Sequence, residues 1–187
     1  PFQLQNNILK AHLALLGANV IYGANYLIAK GIMPNKIGPS AFVFIRLFFG
    51  VILFWIIKSF IKERVAKKDL LRLGLCGLLG AAANQLFFFN GLNLTSPIDA
   101  SIIITSIPVM VLIFSALILK EQITAGKLLG ITIGSLGAIL LIWYGNTSGG
   151  TSSFLGNLFV FLNACCYGLY LVIVKPLMKI YNSITLI

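Results

Sequence analysis

The chain is 187 residues long, 59% hydrophobic and only 10% charged, with a mean hydropathy of +1.00. Soluble domains run near 45–50% apolar and about 25% charged, so that class is excluded. Disorder is excluded by the shortage of polar sequence, and collagen by 18 glycines that follow no three-residue period. The net charge of +10 would point to nucleic acid in a soluble protein. No aromatic-basic stripe lies on a solvated segment, however, so no nucleic-acid partner is expected. Basic residues between apolar runs read instead as loops on the cytoplasmic side of a bilayer.

About 20 mostly apolar residues are needed to cross a membrane as a helix. Six stretches qualify: Ile8–Ala29, Ser40–Ile57, Leu70–Asn90, Pro97–Leu119, Gly126–Tyr144 and Phe154–Val174. No ten-residue alternation recurs, which argues against a β-barrel. The expected fold class is therefore an all-α polytopic membrane protein with six transmembrane helices. Pro34 and Pro39 follow the first span, Thr95-Ser96-Pro97 precedes the fourth, and residues 146–153 read as a flexible linker. Cys76, Cys165 and Cys166 all lie inside apolar runs, so they are packing residues and not a disulfide framework.

The distribution of positive charge orients the chain. The loop after the second span carries Lys58, Lys62, Arg64, Lys67, Lys68 and Arg72, and Lys10, Lys120, Lys127, Lys175 and Lys179 fall on the same side. Opposite them stand only Lys30 and Lys36. The N-terminus is expected in the cytoplasm and the chain in the plasma membrane (cell inner membrane).

An internal repeat carries the most information. Tyr22-Gly23, Ile28, Lys30 and Met33 recur as Tyr167-Gly168, Ile173, Lys175 and Met178, each 145 positions on. Five helices separate the copies, so the copies enter the membrane from opposite sides, as inverted repeats of secondary transporters do. Residues 1–145 then form the first five-helix repeat, 146–153 the linker, and 154–187 the opening helix of a second repeat. A complete second repeat would give a chain of about 290 residues. With no initiator Met and no signal-peptide pattern at Pro1, a truncated chain is expected. Its partner would be the missing second half, or a homodimer if the chain is complete.

These residues resemble the EamA-type drug/metabolite transporters. The resemblance covers nearly the whole chain and rests on Tyr22-Gly23-Ala24-Asn25-Tyr26-Leu27-Ile28-Ala29-Lys30, on Pro39 with Arg46, and on Gly91 to Pro97 through Pro108, Glu121 and Gly130 to Gly137. It implies ten helices in two halves, a 5+5 inverted-repeat transporter fold, with a cavity that opens alternately to each side. It also implies a secondary transporter, often an exporter, of a small organic solute such as an amino acid, metabolite, nucleobase or drug. Helices seven to ten of that pattern are not in this sequence. No acid lies deep in the first helix, unlike the smaller multidrug exporters.

Polar side chains in a bilayer are costly and tend to face the bundle interior or a wet cavity. Asn19, Tyr22 and Asn25 share one face of the first helix, being three apart. Asn84 and Gln85 precede Phe87, Phe88 and Phe89 in the third span; Ser101, Thr105 and Ser106 precede Pro108 in the fourth; Asn163, Tyr167 and Tyr170 lie in the sixth. From these, Tyr22, Asn25, Asn84, Phe88, Thr105, Tyr167 and Tyr170 are the candidate substrate-binding residues, with interhelical hydrogen bonding as the competing role. A lining of amides, hydroxyls and aromatic faces suits a zwitterionic or planar organic solute. Pro108 predicts a kink that frees carbonyls near Ile104.

Arg46 is the one strong charge well inside a span, and several roles are open to it: an outer gate, an anchor for a substrate carboxylate, snorkelling, or a pair with Asp99. Asp99 also fits the third helical position after a Ser96 cap. Glu121 reads as helix-terminus charge pairing. Glycines at 126, 130 and 134, and at 74, 77 and 80, form stripes suited to close helix packing. One histidine, no HExxH motif, no intramembrane carboxylate pair and no Cys/His cluster leave no basis for an enzyme, a metal site or a cofactor. The rival to a transporter is a non-transporting membrane sensor or scaffold module.

Overall fold

The computed structural model describes residues 2–33, 36–61, 63–122, 124–145 and 153–187. The turn at Pro34 and the linker 146–153, apart from Ser153, lie outside the described residues. Among the described residues the chain is helical, without strands. The elements are α1 (Phe2–Ile32), α2 (Pro39–Ser59), α3 (Leu70–Gly77), a π-helical turn (Leu78–Ala83), α4 (Asn84–Leu94), α5 (Pro97–Ile104), α6 (Ile107–Leu119), α7 (Ala125–Gly145), α8 (Phe154–Val174) and α9 (Ser183–Leu186).

Within the described residues, five runs are long and apolar enough to cross a bilayer: His12–Ile32, Pro39–Ser59, Lys67–Leu94, Pro97–Leu119 and Phe154–Lys179. The sequence predicts six, and the difference lies in α7, whose described apolar stretch Ala125–Gly134 is shorter than a span. The whole of α7 is 21 residues long, which at ~1.5 Å per residue matches a hydrocarbon core of about 30 Å. The protein is a multi-pass membrane protein.

Local chemistry sets the helix ends. α2 starts with Gly38 extended and Pro39 at the first helical position, where the missing N–H costs nothing. The expected cap on α5 is present: Ser96 Oγ accepts the Asp99 N–H at 3.0 Å, with Pro97 at the first position. Ser153 caps α8 in the same way, accepting the Gly156 N–H at 3.0 Å. Lys120 closes α6 at φ 54°, in left-handed backbone. Its neighbour Glu121 takes the Lys175 ammonium at 2.6 Å, joining the end of α6 to the end of α8.

Two interruptions shape the bundle. The third span passes through the π-helical turn before Asn84, which the sequence does not announce. The fourth is broken at Thr105–Ser106, between α5 and α6. Pro108 sits two residues after this break, in the first turn of α6. The kink expected at Pro108 is therefore a break that the proline follows, because a proline is tolerated at a helix start and not inside.

α8 lies at the centre, packed between α4 and α6. It contacts α4 most closely: a Cβ on Gly91 would stand 2.8 Å from the Gly156 carbonyl oxygen, and one on Gly156 would stand 2.8 Å from the Leu94 backbone. The Ser153 N–H donates to the Leu94 carbonyl at 3.0 Å and secures the same crossing. The glycine stripes expected to make such contacts do so only at their ends. At Gly74, Gly77, Gly126 and Gly130 a Cβ would have nothing within 4 Å, whereas Gly80 meets the Tyr170 ring and Gly134 meets Val109. Periodicity marks small residues, but the partner helix decides which of them are covered.

One apolar core joins α1, α2, α4, α5 and α8 through Ala29, Val43, Phe88, Phe89, Leu92, Ile103 and Val160, with Met33 just beyond α1. A second core holds the segment after α8 against α3: Cys76, Val174, Leu177 and Tyr181, with Tyr170 at its edge. The Tyr181 hydroxyl accepts the Ala66 N–H at 3.1 Å and donates to Asp69 at 2.7 Å. Glu63 adds to this clasp by accepting the Asn182 N–H at 3.1 Å.

Candidate functional site

α1 brings Asn19, Tyr22 and Asn25 to one face, as their spacing requires. Across from them the π-helical turn and α4 present Gly80, Asn84, Gln85, Phe88 and Phe89. α8 adds Asn163 and Tyr167, the broken fourth span adds Ile104 and Ile107, and α2 adds Arg46. Together they line an open cavity of about 350 Å³, within the range for small-molecule sites.

Hydrogen bonds fix several of these groups. The Asn163 amide donates to the Asn84 carbonyl at 2.9 Å, linking α8 to α4 across the cavity floor. Asn19 turns back and donates to the Leu15 carbonyl of its own helix at 2.8 Å. Arg46 donates from Nη1 to Asn25 Oδ1 at 2.7 Å. Its guanidinium carbon stands 5.6 Å from the Phe42 ring centre and 5.1 Å from that of Phe89, within cation–π range. Gln85 Oε1 is enclosed with no hydrogen-bond partner among the described residues. Pro108 has no N–H to offer the Ile104 carbonyl, at the position where the fourth span meets the cavity.

Of the candidate residues, Tyr22, Asn25, Asn84, Phe88, Tyr167 and Arg46 line this cavity. Thr105, Tyr170 and Asp99 do not. Thr105 Oγ1 donates to the Ile102 carbonyl at 2.6 Å, so its hydroxyl is used by the helix end at the break. Tyr170 lies on Gly80, whose missing side chain makes room for the ring. Asp99 is at the capped start of α5 and forms no pair with Arg46: among the described residues the ion pair is Lys175–Glu121. Arg46 takes the nearer amide of Asn25 instead.

Gly80 and Ile107 line the cavity although no sequence argument chose them. Gly80 had a signal, since it stands four residues before Asn84 on the same span. Ile107 had none, because an isoleucine in an apolar run is indistinguishable from its neighbours. Lys30 is a second omission. Its ammonium donates to the carbonyls of Leu92, Asn93 and Thr95 at 2.7, 3.0 and 2.8 Å, closing the C-terminal end of α4 just beyond the cavity.

Comparison with known proteins bears on this arrangement. Residues 9–143 match the EamA-like transporter family. The chain is 28% identical over 176 residues to a Bacillus subtilis (strain 168) protein named "Uncharacterized transporter YyaM", covering 91% of this chain and 57% of that one. It is 29% identical over 153 residues to an "Uncharacterized transporter" of Archaeoglobus fulgidus, covering 82% and 51%. A Methanothermobacter thermautotrophicus protein with the same description is 24% identical over 151 residues, covering 73% and 44%. The chain thus spans about half the length of the curated relatives it matches. No solved structure matches it.

Proposed function

The chain belongs to the EamA-like transporter family, and from that membership we propose that it carries the solute cavity of a secondary transporter. The protein would move a small organic solute, such as an amino acid, metabolite or drug, across the plasma membrane by alternating access, as an exporter. In this reading residues 1–145 are one five-helix repeat, 146–153 a linker, and the segment from Phe154 opens an inverted second copy. The N-terminus is cytoplasmic, as the positive loop after α2 favours. The partners are the solute, the lipid bilayer and a second half or second copy of the fold.

One observation carries this reading: Tyr22 of the first copy and Tyr167 of the second, 145 positions apart, line the same cavity. A site at the interface of inverted repeats is where such transporters bind their cargo. The lining of amides and aromatic faces, together with Arg46, can orient a small organic solute. Rocking of the halves would expose it to each side in turn.

The test uses the full-length protein in proteoliposomes, with a panel of radiolabelled amino acids and aromatic acids. Tyr22→Ala and Asn84→Ala should each lower transport about tenfold or more while membrane insertion stays unchanged. Loss of folded protein in step with activity would make these residues structural and leave a sensor or scaffold as the better reading.

A further inference from the structure

Resting on that reading of the cavity, we propose that its solute is a small organic anion whose carboxylate is taken by Arg46. The charge inventory leads there. The chain has four acidic residues, and none of them lines the cavity. Glu121 holds Lys175, Asp69 accepts from Tyr181, Glu63 accepts from the Asn182 backbone, and Asp99 sits in the first turn of α5. Among the described residues Arg46 is thus a positive charge inside a span, at the cavity, with no carboxylate beside it.

Such a charge is costly inside a span, less so in its outer third than at its centre, and by default marks a functional site. Its surroundings orient the guanidinium without consuming it. One N–H is given to the neutral Asn25 amide, and the adjoining rings of Phe42 and Phe89, 5.0 Å apart, both stand within cation–π range of the guanidinium. The remaining donors of the planar fork suit a carboxylate, which an arginine binds with two parallel hydrogen bonds. Among the described residues an ammonium group finds no acid in this cavity, only amide carbonyls and ring faces. The apolar body of the anion would lie toward Phe88 and Phe89.

Equilibrium dialysis of the purified full-length protein in nanodiscs of neutral lipid tests this with three probes that share one body. These are phenylacetate, neutral phenylacetamide and cationic 2-phenylethylamine. Phenylacetate should bind at least tenfold more tightly than the other two. Arg46→Gln should bring it down to the level of the amide, and Arg46→Lys should recover part of the preference. Asn84→Ala should weaken binding of all three.

Equal or tighter binding of the amide or the amine, still weakened by Asn84→Ala, would overturn the anion assignment and leave the cavity reading standing. Persistence of the carboxylate preference in Arg46→Gln would also overturn it. Failure of the wild-type protein to bind any of the three would overturn it together with the cavity reading.

Discussion

The ammonium of Lys30, at the end of α1, donates to the Leu92 carbonyl of α4 at 2.7 Å, 62 residues away in sequence. With the bonds to Asn93 and Thr95, a single side chain serves the end of a helix, where the last carbonyls have no intrahelical donor. The charge also complements the negative end of the α4 dipole. Lys175, 145 positions on, meets the Glu121 carboxylate instead.

Replacing Lys30 by Met should therefore destabilise the protein by about 1–2 kcal/mol, since charge-assisted bonds and the dipole contact are lost together. The melting temperature in detergent checks this. Lys175→Met should cost less, because Lys175 and Glu121 are 53% and 37% exposed and surface pairs are screened.

The α4–α8 crossing gives a contrast between glycines. Gly156→Ala places a methyl group 2.8 Å from the Leu94 backbone, and overpacking of this kind costs about 1–3 kcal/mol. Gly130→Ala meets nothing within 4 Å and should be close to neutral. Thermal unfolding of the two variants side by side separates packing glycines from spaced ones.

Acid should weaken the contacts outside the spans. Glu121 titrates below its ordinary value of 4.5, first because Lys175 donates a hydrogen bond to it and then through the charge of Lys175. Glu63 is lowered too, chiefly by a hydrogen bond with Thr185. A depressed carboxylate contributes stability that is fully present above the ordinary value and is lost as pH falls through the lowered one. The melting temperature should fall as pH is taken from neutral to about 3, and less steeply in Glu121→Gln. An unchanged profile in that variant would show that the pair adds nothing.

Tyr181→Phe removes the hydroxyl that accepts from Ala66 and donates to Asp69. The carboxylate of Asp69, 7% exposed, then loses that donor. The segment after α8 should exchange its amide hydrogens faster while the spans stay protected, which hydrogen-exchange mass spectrometry resolves.

Hydropathy and capping chemistry made most of the bundle legible. α8 runs over Phe154–Val174, the limits its apolar run suggests, and Ser96 caps the helix that follows it. Asn19, Tyr22 and Asn25 share a face because helical spacing alone dictates it. Properties that depend on a partner were out of reach. Gly91 and Gly156 lie outside the regular stripes, yet they make the closest approach. Lys30 looks like a flanking charge until α4 is placed beside it. Tyr170 is three residues from Tyr167, but its ring is claimed by Gly80.

The π-helical turn at Leu78–Ala83 has a consequence for how the third span tolerates change in length. A π-turn accommodates one residue more than an α-helical turn, so it sets the angular phase between the half of the span bearing Cys76 and the half bearing Asn84 and Phe88. Deleting one alanine there would restore a regular helix with the two halves still in phase, whereas winding the same residues as α-helix would swing one half by about 100° against the other. The amide and the phenyl ring would leave the cavity with every side chain still in the chain. In that sense the turn works as a keyway, and a sequence one residue shorter at this point could present the same polar groups from an unbroken helix.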